Sequence, residues 1–238
     1  MNSAKTSAGV RKALQRHASP ARKTSMERFF KTGPGEYGEG DVFLGVTVPD
    51  QRRVARAFRG LPLAECRKLL ASEVHEERLT ALLILVDAYA HGSDLDKRAI
   101  VDFYLANIRR VNNWDLVDSS AAQILGDYLV DKNHARLRKL ATSHSLWERR
   151  IAIIATFAFI HSGEHRDTFE IALMLLEDEH DLIHKAVGWM LREVGKRVDV
   201  SLLRAFLREH ARRMPRTALR YAIEHLPAGE RQRFMKQK

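Results

Sequence analysis

From Asp50 onward, apolar residues recur at three- and four-residue spacing in segment after segment, a period that suits helices and not strands. It runs through Val54 and Phe58, then Leu79, Leu82, Leu83 and Val86, then Ile100, Tyr104 and Ile108, and Ile124 with Tyr128. It resumes at Ile151, Ile154, Phe157 and Phe159, and continues through Ala186, Met190 and Val194 to Leu203, Phe206 and Leu207. Breaks fall at Gly60-Leu61-Pro62, Gly92-Ser93, Lys132-Asn133-His134, Ser162-Gly163, Asp178 to Asp181, and Met214-Pro215. Helices of roughly 10–18 residues with short connections follow, the pattern of antiparallel neighbours.

Helical pairs recur at about 35–40 residues, the spacing of HEAT-type repeats. Glu76 to Leu82, Trp147 to Ile153 and His184 to Trp189 each open a long helix with charge followed by small and aliphatic residues. The expected fold is an all-α solenoid of antiparallel helical repeats with a basic concave face; an irregular helical bundle is the alternative. Upstream, residues 1–24 are rich in Lys, Arg, Ser and Ala and read as a basic, partly helical, mobile arm, and residues 25–238 as one domain. A short helix is expected near Ser25 to Lys31, ending at Gly33-Pro34-Gly35. Glu36 to Pro49 reads as a short extended piece or hairpin, or as a packed loop.

Forty Lys and Arg against thirty Asp and Glu leave a formal charge of +10 and a pI near 9.9. Such a surplus favours a polyanionic partner, because each phosphate neutralised releases a condensed counterion. A bilayer surface is the weaker reading. The most apolar run, Ile151 to Ile160, is about half the length of a membrane span, and the N-terminus lacks the apolar region of a secretory signal. Cys66 is the single cysteine, which excludes an intrachain disulfide and fits a reducing cytoplasm.

No phosphate-binding glycine loop, zinc-protease helix or nucleophile elbow is present. His180 and His184 stand four apart beside Glu179 and Asp181, a pattern better suited to a helix start than to a metal site. Asn112 and Asn113 offer an N-cap for a helix carrying Trp114, Asp115 and Asp118. Trp114 and Asp118 are four apart, so an aromatic face and a carboxylate share one side of that helix. The plainer reading makes Asp118 a first-turn acid and Trp114 a core anchor. Arg150 shares a side with Trp147 and Ile154 and has two readings, burial against a carboxylate or contact with a phosphate.

Five blocks together resemble the DNA alkylation repair family of HEAT-like glycosylases. They are Phe43-Leu44-Gly45-Val46, Pro49 to Arg53, Asn113 to Asp118, Trp147 to Ile153, and Lys185 to Glu193. The resemblance implies excision of positively charged N3- or N7-alkylated purines from duplex DNA without a base-flipping pocket, and no metal or organic cofactor. By position it makes Asp118 the catalytic carboxylate. Trp114 and Trp189 would pack on the deoxyribose backbone, and Arg150 would meet a phosphate, with Arg149, Lys185 and Arg192 on the same DNA-binding surface. Phe29 stands where relatives often carry tyrosine, so a hydroxyl contact is lost there. A monomer in the cytoplasm, associated with the nucleoid, is implied. Some relatives bind DNA without clear excision, so a non-catalytic binder of branched or distorted DNA stays as the alternative.

Overall fold

A computed structural model describes residues 5–236. The chain is all-α: among the described residues the only β pairing is an isolated bridge between Val42 and Val74. The described helices fall into two compact units, the first running to Ile124 and the second from Leu125.

The first unit holds α1 (Ser7–Gln15), α2 (Pro20–Phe29), α3 (Val48–Ala57), α4 (Leu63–Leu70), α5 (His75–His91), α6 (Asp94–Ala106) and α7 (Trp114–Asp118). The apolar run of α5 makes it the hub, packed against α1, α3, α4, α6 and α7. Leu79, Leu82, Ile84 and Leu85 are all buried, so this helix is wrapped rather than amphipathic. The basic N-terminal segment carries a buried i,i+4 pair, Val10 and Leu14, which seats α1 on α4 and α5. Ser7 donates through its backbone N–H and its hydroxyl to Glu65, each at 2.7 Å. The division read at residue 24 falls inside α2, which starts at Pro20 behind its N-cap Ser19.

Residues 30–47 form the packed loop, not a strand. Gly45 has φ +80°, and a Cβ there would lie 2.2 Å from the Ser19 carbonyl oxygen, so only glycine lets this loop press against α2.

The second unit holds α8 (Asp127–Leu129), α9 (Ala135–Ala141), α10 (Leu146–Ala155), α11 (Phe157–His161), α12 (Arg166–Met174), α13 (Asp181–Arg197), α14 (Val200–His210), α15 (Arg216–Ala222) and α16 (Ala228–Lys236). Its hub is α13, packed against α10, α11, α12, α14 and α15. The approach of α15 is closest at Gly188, where a Cβ would fall 2.4 Å from the Ala218 carbonyl oxygen and 2.5 Å from the Tyr221 Cβ. No helix among the described residues is long and apolar enough to cross a membrane.

Side-chain geometry reveals a repeat that no exact sequence match preserves. The fourth residue of each of α5, α10 and α13 reaches back to the carbonyl six residues earlier. Arg78 donates to the Ser72 oxygen at 3.1 Å, Arg149 to the Ser143 oxygen at 2.9 Å, and His184 bonds the Asp178 oxygen. These three residues set a common register. One residue further on stand Leu79, Arg150 and Lys185; Trp114 lies midway, 35 residues after Leu79 and 36 before Arg150. Four residues beyond these come Leu83, Asp118, Ile154 and Trp189. Arg150 and Lys185 therefore occupy one position of the repeat, and Trp189 lies one helical turn beyond it, the same separation that Asp118 has from Trp114.

Candidate functional site

Four consecutive charged residues open α5, and all four are buried: His75, Glu76, Glu77 and Arg78. Each is paired, as burial of charge requires. The Nδ1 of His75 lies 3.0 Å from Asp41, and its Nε2 lies 2.8 Å from Asp115. With a carboxylate on each side, both ring nitrogens must carry a proton, so the ring is an imidazolium. Burial by itself would push His75 down; the Asp115 and Asp41 carboxylates outweigh it and raise it to about 9. Asp41 also accepts from Arg78 at 2.5 Å and from Asn113 at 3.1 Å. Burial works to raise Asp41, and these cationic and hydrogen-bonding partners hold it below the usual carboxylate range.

Glu76 accepts from the backbone N–H groups of Leu44, Gly45 and Val46 at 2.8–3.1 Å, so the loop folds around its carboxylate. Glu77 accepts from Arg11 of α1 at 2.8 Å. One short run of charge thus fastens the loop, α1 and α7 to the head of α5.

What this network anchors is aromatic. The His75 ring stacks on Phe43 (centroids 4.5 Å apart), Phe43 on Phe30 (5.0 Å), and Phe30 on Trp114 (5.2 Å, planes 11° apart). The column runs from a buried imidazolium to the partly exposed indole of Trp114. Phe29 sets its edge against the same indole at 5.8 Å and is 64% exposed. Asn113 caps α7 by accepting from the Trp114 N–H at 2.8 Å, while its amide holds Asp41, which fixes the helix start. Asp118 closes α7 one turn beyond Trp114, partly exposed. The structure thereby brings Phe29, Trp114 and Asp118 onto one short stretch of the first unit.

In the second unit, Trp189 is partly exposed on α13 and donates its indole N–H to Glu193 at 3.2 Å. Glu193 is buried and also accepts from Arg192 at 3.2 Å and Arg197 at 2.7 Å. Burial raises its carboxyl, but these guanidinium groups bring it below its ordinary value. Arg192 also pairs with Glu224. Lys185 pairs with Asp181 at 2.7 Å with its side chain 40% exposed.

The two adjacent arginines differ in setting. Arg149 bonds Asp178 at 2.6 Å and the Ser143 and His144 carbonyls at 2.9 and 3.0 Å, bracing the turn before α10. Arg150 is buried and donates to the Leu182 carbonyl. His180 is the N-cap of α13, accepting from the Leu182 N–H at 3.1 Å, and His184 holds the Asp178 carbonyl. Among the described residues no three His, Cys, Asp or Glu side chains form a metal-binding group.

The residues that sequence reading did not single out are Asp41, His75 and Asp115. Asp115 was visible as a first-turn acid, but its partner His75 lies 40 residues away in sequence, beyond the reach of local spacing. The one available signal was the density of unlike charges at the head of the most apolar helix of this unit, where each charge needs a partner.

The family model described as "DNA alkylation repair enzyme" matches residues 10–226. A solved structure described as a predicted DNA alkylation repair enzyme from Enterococcus faecalis superposes with a TM-score of 0.69 at 17% identity. That match covers 90% of this chain and 99% of the other, and it establishes likeness of fold. No curated protein matches the chain.

Proposed function

The chain belongs to the DNA alkylation repair enzyme family, and we propose that it repairs alkylated DNA as a monofunctional glycosylase, hydrolysing the N-glycosidic bond of cationic N3- or N7-alkylpurines in duplex DNA. The observation that carries this reading is the pairing on α7: an indole held by a buried ion network, and a carboxylate one turn away, both partly exposed.

The chemistry asks for that combination. An N3- or N7-alkylated purine carries positive charge and leaves as a neutral base when the glycosidic bond breaks. Positive charge then develops on the deoxyribose, where a carboxylate lowers its energy and orients an attacking water. The indole face favours the same cationic sugar through its quadrupole. In this proposal Asp118 supplies the carboxylate and Trp114 packs on the sugar, with Phe29 against its edge. Trp189 packs on the backbone in the second unit beside the ion-paired Lys185 and Arg192, while Arg150, buried and holding the Leu182 carbonyl, takes the structural of its two readings and braces α10 against the start of α13. The base need not enter a pocket, since the recognised atoms are those of the sugar and phosphate. The protein acts as a monomer and leaves an abasic site.

The test is release of 7-methylguanine from methylated duplex by wild type and Asp118→Asn, with duplex binding measured in parallel. Loss of one such electrostatic partner costs about 10²–10³ in rate, so the variant is expected to bind as wild type does and release base that much more slowly. Equal rates in the two proteins would remove Asp118 from the chemistry. Binding without release by either would leave a non-catalytic binder of distorted DNA.

A further inference from the structure

The repeat register extends one helix beyond the family of positions already described. Helices α5, α10, α13 and α15 start at His75, Leu146, Asp181 and Arg216. The fifth residue of each is Leu79, Arg150, Lys185 and Arg220. Arg220 therefore follows Lys185 by 35 residues, as Lys185 follows Arg150. The position changes from a buried leucine at the hub of the first unit to an exposed arginine on α15.

Around Arg220 the close passage of α13 and α15 at Gly188 creates an open groove of about 630 Å³, lined by Lys185, Arg192, Thr217, Arg220 and Tyr221 with Asp181 and Glu224. Its two carboxylates are already balanced. Asp181 pairs with Lys185 at 2.7 Å and accepts a hydrogen bond from Thr217, and Glu224 pairs with Arg192. Arg220 has no ion-pair partner among the described residues, so its charge is the one the groove does not offset. Tyr221, 37% exposed, offers a phenolic donor beside it.

The geometry points to this α13/α15 groove as a binding stretch for the phosphate backbone of duplex DNA, with Arg220 as its principal unassigned cation. A guanidinium with no internal carboxylate, beside the phenolic donor of Tyr221, matches phosphate oxygens. Its place in the register of Arg150 and Lys185 spaces cations one repeat apart. This inference rests on DNA being the partner of the family, and not on the glycosylase chemistry. The groove adds affinity along the strand without touching the reacting sugar.

The test measures binding of an undamaged duplex across a salt series for wild type, Arg220→Gln and Arg220→Glu, with Arg208→Gln, an exposed arginine on α14, as control. Loss of one phosphate contact makes the slope of log K against log salt shallower by about one. Arg220→Gln is expected to show that change with a several-fold loss of affinity, Arg220→Glu a larger loss, and Arg208→Gln neither. An unaltered slope and affinity in Arg220→Gln would overturn the proposal, as would absence of duplex binding by wild type. A shallower slope in a protein that releases no base would uphold the groove while removing the glycosylase reading.

Discussion

Replacing His75 by Gln should expose how much stability the buried imidazolium provides, and should do so in a pH-dependent way. His75 is raised from 6.5 to about 9 in the folded protein. At about 1.4 kcal/mol per pH unit, that rise corresponds to roughly 3 kcal/mol of folding free energy, consistent with the 3–5 kcal/mol lost when one partner of a buried ion pair is removed. Folding strengthens proton binding by this ring, so its contribution is present in full below about pH 6.5 and is lost as pH rises through about 9. For a chain of this size, 1 kcal/mol moves Tm by about 2–4 °C. Thermal melts followed by circular dichroism should therefore place His75→Gln about 10 °C below wild type at pH 6.5. The gap should narrow to a few degrees near pH 10, where wild type also confronts Asp115 without a cation and Asp41 with Arg78 alone. Comparison of the two proteins at each pH cancels the other groups that titrate in this range. A gap that stays constant from pH 6.5 to 10 would mean the ring is neutral in the folded protein and would refute the ion-network account.

Gly188→Ala should force α13 and α15 apart, since the added methyl would lie 2.4 Å from the Ala218 carbonyl oxygen. Overpacking of this kind costs about 1–3 kcal/mol, measurable as a lower midpoint in chemical denaturation; an unchanged midpoint would show that the contact relaxes without cost. Arg149→Gln should lower stability by about 2 kcal/mol, the scale of charged hydrogen bonds, because Asp178 and the Ser143 and His144 carbonyls lose their donor. The same variant should keep the wild-type salt dependence of duplex binding, and a shallower slope would instead give Arg149 a phosphate contact.

The helices were legible because burial imposes a period that survives any choice of apolar side chain, as in Ala186, Met190 and Val194 on α13. Trp114 and Asp118 could be placed on one side of a helix because four residues make about one turn. Other features were hidden for physical reasons. The basic composition of residues 1–24 masks the Val10 and Leu14 pair that packs α1 into the first unit. His75, Glu76, Glu77 and Arg78 read locally as the solvated start of a helix. Their burial depends on Asp41, Asp115, Arg11 and the backbone of residues 44–46, which only the fold brings to them. The repeat was equally obscure in letters, since Arg78, Arg149 and His184 differ in type yet reach back to the same relative carbonyl. Once they are aligned, Arg150, Lys185 and Arg220 fall into one register.

Glycosidic hydrolysis is tested most directly by product stoichiometry from a duplex carrying a single 7-methylguanine. Wild type is expected to yield free 7-methylguanine and abasic sites in equal amounts, with the strand uncut until the abasic site is cleaved chemically, and Asp118→Asn to yield both about 10²–10³ more slowly. Tight binding of that duplex with no base released above the spontaneous rate would contradict the account.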